Sequence, residues 1–458
     1  MAEPQVPDRR HDFLLTHWSR YPAWPSAQNA APSGDASRLW KSGRWPLQLA
    51  HTLSAKLRWH ALSLRGVEQA DEVARPAEVL REGDWVSVDE ASAEVILWSP
   101  NRLEVAAKFA KADLLATERW CNLLTSLRRY FLERGFREAS TPFLAPSPGT
   151  EAYLDSVSVR LRRWDGAEFT RYAITSPEFH LKKILAAGCD KVFEIARCVR
   201  NLEGGHQHAL EFHMLEWYRS FASHREIAED LTMLLESLGA PRPTHRTWLG
   251  LVVEAMEQRG AWSHLVVSPF KRHEEREEFL CLALQAQDLT ELPDATAVRA
   301  EPTQARQALR ALLTALQVEW READGVNDLL QRLWLERIED LLAKDRPMLV
   351  EDFPPALSAL ARVNAEGWAE RFELYWRGLE IANAFHELND PEENHQRWQR
   401  DLLEKRRSGR PEVPVDQELA QAFLHGVPPA GGIALGVERL AMALWNLPNI
   451  NEVRPFVY

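Results

Sequence analysis

Residues 176–200 read SPEFHLKKILAAGCDKVFEIARCVR, a helical FHLKKILAAG running into a strand-like KVFEIARCVR. The pattern continues outward on both sides. AITS precedes it as a short extended run, and EFHMLEWYRSF follows as a further strand. From Ser223 to Lys344 the periodicity is mostly helical, including QARQALRALLTALQVEW and GVNDLLQRLWLERIEDLLA. Strands return at MLVEDF, RFELYWRG and GLEIANAF. An amphipathic helix, HQRWQRDLLEKRR, comes next, and GGIALGVERLAMALWNL closes the chain as strand and helix. Strands, a helical insertion and strands again do not alternate regularly. The order therefore predicts an α+β fold, an antiparallel sheet flanked by helices, rather than a doubly wound parallel sheet.

Upstream, Thr117 reads as the cap of a helix whose apolar face is Leu123, Leu124, Leu127 and Phe131, with Gly135 as its stop. Residues 136–154 are extended and broken by prolines. Earlier still, Leu47, Leu49, His51, Leu53, Ala55, Leu57 and Trp59 alternate, and WVSV and VILW runs lie between Gly83 and Trp98. These predict a small β-barrel, OB-like in outline, over about 45–105, preceded by an irregular Ala, Pro and Ser-rich strap at 21–37. The chain thus divides into an N-terminal extension, 1–105, and a second domain, 106–458, with a helical insertion at about 223–345. Trp18, Trp24, Trp40, Trp45, Trp59, Trp85 and Trp98 could stack on bases. No dense Lys/Arg stripe accompanies them, so filling a small core is the simpler reading.

With 458 residues, 45% of them hydrophobic, the chain can bury a large core without disulfides. Its net charge of -12 argues against indiscriminate nucleic-acid binding. Cys121, Cys189, Cys198 and Cys281 lack paired metal-ligand spacing and read as reduced thiols. There is no signal-like core and no apolar run of the ~20 residues a membrane span needs, so the expectation is a soluble, cytoplasmic protein with no membrane partner.

No GxxxxGK[ST] loop is present, and no GxGxxG follows a strand, so a nucleotide would be held by other means. Arg197 and Arg200 lie in FEIARCVRN, and Arg439 follows closely spaced glycines in GGIALGVERL. Arginines from distant segments can clamp a polyphosphate, although most arginines are solvated surface groups. Glu178, Glu216, Glu380 and Glu387 fall in the same segments. Glu380 and Glu387, seven apart beside an extended run, could bring oxygens to Mg²⁺, although a structural carboxylate is the default reading of any one of these acids. Glu216 sits in an apolar strand beside Trp217 and Tyr218, where an unpaired carboxylate costs several kcal/mol. A ligand amine would supply its partner.

Four ordered segments, SPEFHLKKILAAGCDKVFEIARCVRN, EFHMLEWYRSF, RFELYWRGLEIANAFHELND and GGIALGVERLAM, resemble the catalytic domain of class II lysyl-tRNA synthetases. Within that family they are most similar to the elongation factor P lysine ligases. The likeness runs from about Thr117 to the C-terminus, with STPFL around Pro142 as motif 1, Arg200 to Glu216 as motif 2 and Gly436 to Arg439 as motif 3. It implies ATP and Mg²⁺ as cosubstrates, an aminoacyl-adenylate and a homodimer formed through motif 1. By matching position, Arg200 grips the α-phosphate and Arg439 the far phosphates. Phe212 stacks on adenine, Gly436 passes close to the nucleotide, and Asn201, His208 and Ile381 complete the ATP site. Glu380 with Glu387 takes the metal. Ser176, Pro177, Glu178, Glu216, Tyr218 and Glu387 form the amino-acid site, suited to the two ammonium groups of lysine or β-lysine.

Ala434 in GIALG stands where lysyl-tRNA synthetases carry glycine and the protein-lysylating relatives carry alanine. It favours a lysine side chain of elongation factor P as acceptor over tRNA. Where the family's motif 2 reads Arg-x-Glu, this chain has Arg200, Asn201 and Leu202, and strand alternation would turn Glu203 to the opposite face. Ala209 replaces an asparagine of the family's ATP site. Three functions stay open: a protein ligase, a tRNA-charging enzyme, and a non-catalytic paralogue acting as a binding or regulatory module.

Overall fold

The computed structural model describes residues 38–41, 85–88, 93–97, 114–265, 273–287, 302–342 and 344–454. The chain forms two compact units, Met1–Ala110 and Lys111–Tyr458. In the first, β1 (Arg38–Lys41), β2 (Trp85–Val88) and β3 (Ala93–Leu97) pair as an antiparallel three-stranded sheet in the order β1-β2-β3. The runs predicted between Gly83 and Trp98 thus contain strands. The 47–59 alternation and the 21–37 strap lie outside the described residues, as does most of the expected barrel.

The second unit begins with α1 (Leu114–Glu133), β4 (Arg137–Glu138), β5 (Leu144–Ala145), β6 (Ser158–Arg162) and β7 (Glu168–Ala173). Then come α2 (Glu178–Ala186), β8 (Lys191–Val199), β9 (Glu211–Ser220), α3 (His224–Ser237), β10 (Thr244–Thr247) and α4 (Trp248–Gln258). The helical stretch continues with α5 (His273–Leu284), α6 (Pro302–Ala315) and α7 (Val326–Leu333). The chain returns to strands as β11 (Met348–Phe353), β12 (Ala369–Trp376) and β13 (Leu379–His386), and ends with α8 (Pro391–Arg407), α9 (Gln417–His425), β14 (Ala430–Gly436) and α10 (Val437–Trp445).

An eight-stranded sheet in the order β10-β11-β12-β13-β14-β9-β8-β4 organises this unit. Its interior run from β11 to β8 is antiparallel, as predicted, but both edge pairs are parallel: β10 with β11 and β4 with β8. The sheet is therefore mixed, a correction to the wholly antiparallel expectation. β10 is also a strand inside the segment read as mostly helical; its four residues, THRT, are too short for alternation to declare itself. The helix expected to start at Thr117 starts three residues earlier, at Leu114.

One face of the sheet is sealed by α1, α3 and α10. Leu127, Phe131, Leu231, Leu234, Leu440 and Ala441 pack there against Phe193, Trp217, Phe372 and Ile433. Ser223 and Glu226 cap α3 reciprocally, an S-x-x-E capping box that fixes where this helix leaves the sheet. A second core joins α4 to α7 with Met348 and Val350 of β11. The opposite face carries less hydrophobic cover, with a small patch of Ala196, Cys198 and Met214 packed on Ala145 and Ile174. Polar side chains are admitted on that face.

Candidate functional site

Alternation along β8, β9, β14 and β13 puts Glu194, Glu216, Ala434 and Asn383 in one cross-strand row, since Glu194 pairs with Glu216, Glu216 with Ala434 and Ala434 with Asn383. Around that row the predicted amino-acid residues converge. Ser176 donates its hydroxyl to Glu216 Oε1 at 2.6 Å, and Tyr218 donates to Glu216 Oε2 at 3.2 Å. The Ser176 hydroxyl also accepts the Glu178 backbone N–H at 3.0 Å, starting α2 just after Pro177. A β-carbon at Gly432 would collide with Glu387 Oε1 and the Tyr218 ring, so glycine is what lets β14 pass between them.

Sequence reasoning missed Lys182, one turn along α2 from Glu178. Its Nζ lies 2.5 Å from Glu178 Oε1 and 2.7 Å from Glu387 Oε2, in a pair of buried ion contacts. The i,i+4 spacing of Glu178 and Lys182 was the available signal. Burial opposes the Lys182 charge, but Glu178 and Glu387 more than offset it and raise its pKa. Glu216 is fully buried, and desolvation followed by repulsion from Glu178 lifts its pKa to about 8 against the hydrogen bonds from Ser176 and Tyr218. Burial also raises Glu387, with Lys182 opposing and Glu178 adding to the shift. Lys182 thus answers Glu178 and Glu387, while Glu216, with Ser176 and Tyr218 as its hydrogen-bond partners, carries the raised pKa that favours its protonated form near neutral pH. A cavity lined by Ser147, Gly149, Glu151, Ser176 and Glu178 adjoins this cluster. Lys405 of α8 fixes that loop by donating to the Glu151 and Leu154 carbonyls at 2.7 and 2.8 Å.

The predicted nucleotide residues gather at the other end of the same face. Arg200 follows β8 directly, its guanidinium 5.4 Å from the Phe212 ring centre and its buried Nε without a partner among the described residues. Arg439, in the first turn of α10, donates to the carbonyls of Glu380 at 2.8 Å and Gln207 at 3.3 Å and meets His208 Nε2. Burial lowers the pKa of Arg439, with Glu380 opposing and Arg200 contributing, so the two guanidinium groups feel one another. Burial, then Arg439, lowers His208. Gly436 is the N-cap of α10 and offers no side-chain cap; a β-carbon there would make only ordinary contacts, so the expected close approach is not enforced by the protein itself. Ile381 buries its side chain in the core behind the sheet, leaving only its main chain to this site. Asn201 is exposed and bridges Asp155 through its backbone.

Two expectations are overturned. Leu202 has a left-handed backbone (φ 65°), which breaks strand alternation: its side chain is 79% exposed while Glu203 turns inward, 3.9 Å from Arg200 Nη1. Glu203 is therefore on the arginine side, not the opposite face. Glu380 and Glu387 likewise cannot share a metal. Glu380 is near the start of β13 and Glu387 just past its end, seven residues apart along an extended run, which separates them by about 20 Å or more.

The neighbour of Glu380 is Glu373, also seven residues away but across the β12–β13 hairpin. The tight turn at Arg377 and Gly378, both at positive φ, folds Tyr375 opposite Glu380 and Glu373 opposite Asn383. Glu373 is buried, contacts Arg371 and Tyr375, and has its pKa raised by burial, with Arg371 opposing and Glu380 adding to the shift. Asn383 Oδ1 is buried with no partner among the described residues. Two carboxylates and an orphaned amide oxygen are the hard donors Mg²⁺ prefers, so this set fits the ion and replaces the Glu380 and Glu387 pair.

Residues 116–458 match the family model described as tRNA synthetases class II (D, K and N). An elongation factor P–(R)-β-lysine ligase from Hamiltonella defensa subsp. Acyrthosiphon pisum (strain 5AT) is 30% identical over 342 residues, which is 73% of this chain and 92% of that protein. A ligase of the same name from Enterobacter sp. (strain 638) is 33% identical over 337 residues, again 73% of this chain and 92% of its own length. No helix among the described residues is long and apolar enough to cross a membrane. With the family model covering nearly all of the second unit, the chain belongs to the class II tRNA synthetase family of the D, K and N type.

Proposed function

We propose that this ATP-dependent amino-acid ligase activates lysine or β-lysine as an adenylate and transfers it to a lysine side chain of elongation factor P. The charge balance of the amino-acid cavity carries the reading. Glu178, Glu216 and Glu387 against Lys182 leave two negative charges once Glu216 is ionised, the complement of a substrate with two ammonium groups. A neutral amino-acid side chain would leave Glu216 to bear its desolvation unaided. Elongation factor P as acceptor rests on the names of the relatives and on Ala434, whose place opposite Glu216 and Asn383 narrows the cavity floor by one methyl.

In the first step a carboxylate oxygen of the amino acid attacks the α-phosphorus of ATP and pyrophosphate departs. In the second an amine attacks the adenylate carbonyl, AMP leaves and the amine sheds a proton. Arg200, with its free Nε, faces the charge that develops on the α-phosphate, and Arg439 faces the outer phosphates from the N-terminus of α10. Glu203 takes the adenine-side role that the Arg-x-Glu pattern gives to the position of Leu202. Glu373, Glu380 and Asn383 would hold Mg²⁺, which supplies neutralising charge to the polyphosphate when bound. The remaining contribution of the protein is orientation.

Intact mass of elongation factor P after incubation with the enzyme, ATP, Mg²⁺ and lysine or β-lysine tests the reading, with a gain of one lysyl residue expected. Lysine-dependent pyrophosphate exchange without that gain would move the acceptor elsewhere. Absence of exchange with either amino acid would overturn the reading altogether.

A further inference from the structure

His386 and Glu387 are successive residues of one extended run, and they face opposite sides of the sheet. Glu387 meets Lys182 in the amino-acid cavity, whereas His386 meets Glu370 and the N-terminus of α3. His386 Nδ1 lies 2.6 Å from Glu370 Oε2, just beyond the Arg371 and Phe385 pair of the β12–β13 ladder. The His224 ring stacks near His386 with centroids 6.4 Å apart. His224 is only 5% exposed, and its Nδ1 is buried with no partner among the described residues. One ligating atom from each of His224, Glu370 and His386 falls within 4.8 Å of the other two.

We propose that His224, Glu370 and His386 form a binding site for one divalent transition-metal ion of the zinc type, behind the amino-acid cavity. Two imidazoles and a carboxylate are a donor set that favours zinc over the oxygen-seeking Mg²⁺ of the phosphate site. Adjacent ligands of a tetrahedral zinc lie about 3.3 Å apart, so ligand-atom separations need to close by about 1.5 Å at most. Glu351 and Asp352 add negative charge from β11, and Arg225 opposes them from α3. The backbone is held for the purpose. Gly431, paired with His386, lets α3 approach so closely that a β-carbon there would strike Ile227 and the Ser223 carbonyl. The ion would tie α3 to the ends of β12 and β13, joining residues that lie far apart in the chain.

The test uses the full-length, untagged chain, stripped with chelator and then titrated with Zn²⁺ against a chromophoric competitor, alongside Co²⁺ for its visible spectrum. The wild type is expected to bind one equivalent, to melt at a higher temperature when loaded, and to give the intense bands of tetrahedral Co²⁺. Glu370→Gln and His224→Asn should each weaken Zn²⁺ binding by about 100-fold or more. If His224→Asn fails to fold, Glu370→Gln and His386→Gln decide the matter. No stoichiometric binding by the wild type, or binding unchanged in the variants, would overturn the site. None of these readouts involves pyrophosphate exchange, so the outcome is independent of the proposed ligase activity.

Discussion

The proposed amino-acid cavity and the proposed nucleotide cleft occupy one face of one sheet, yet they handle charge in opposite ways. In the cavity Glu216, Glu387 and Lys182 are almost wholly buried, with Lys182 paired to Glu387 and Glu216 held by Ser176 and Tyr218. In the cleft Arg200 and Arg439 sit at the rim, partly solvated, and lean on backbone carbonyls, a histidine and Glu203. A buried carboxylate stores its desolvation cost until the right cation arrives, so it discriminates among amino acids. The forked donors of a guanidinium suit a polyphosphate whose own charge is large. Under the proposed function, specificity belongs to the cavity and transition-state stabilisation to the cleft.

Neutralising the cavity should produce the largest effect. Glu216→Gln removes the charge that meets the substrate ammonium and should cost about 3–5 kcal/mol, more than roughly a hundredfold in lysine-dependent pyrophosphate exchange. The same variant should bind ATP normally by equilibrium dialysis. Arg200→Ala should do the reverse, lowering kcat by about 100- to 1000-fold while leaving lysine binding within a few-fold. If both variants lost lysine binding equally, the division of labour between the two regions would collapse.

Smaller effects sharpen the same contrast. Glu203→Gln should raise the KM for ATP by roughly tenfold, the scale of one hydrogen bond to a charged group, with the KM for lysine unaltered. Leu202→Gly should relieve a left-handed backbone and stabilise the fold by about 1 kcal/mol in denaturant titration, without touching either KM.

Much of this was legible in the sequence, and the failures have physical causes. The helix and strand of residues 178–199 and the closing strand and helix at 430–445 carry strong local periodicity, and they form as expected. Ser176, Glu178, Glu216, Tyr218 and Glu387, named from the resemblance, lie together in the fold, and their role as an amino-acid site is the proposed one. Spacing misled at Glu380, because seven residues along a strand is a long distance and seven residues across a hairpin is a contact; the RG turn between RFELYW and GLEIANAF was the clue. Glu203 was misplaced because a single left-handed residue, Leu202, resets the alternation that strand reasoning extrapolates. The trio of His224, Glu370 and His386 had no local signature at all, since only the sheet brings α3 to the β12–β13 hairpin.

Proton release on lysine binding addresses the charge-balance claim directly. With its pKa raised to about 8 by burial and by Glu178, Glu216 is protonated in the empty cavity at pH 7 and must ionise to receive an ammonium group. The sign follows: lysine affinity climbs as pH rises from 6 towards 8. The raised pKa also means that the ligand-free fold loses the stability contributed by protonated Glu216 as pH rises from the ordinary carboxylate range through about 8. Calorimetric titration of lysine at pH 7, in two buffers of different ionisation enthalpy, reads the proton count. Release of close to one proton by the wild type, abolished in Glu216→Gln, is the predicted result. Binding that releases no proton and keeps the same affinity from pH 6 to 8 would contradict the account.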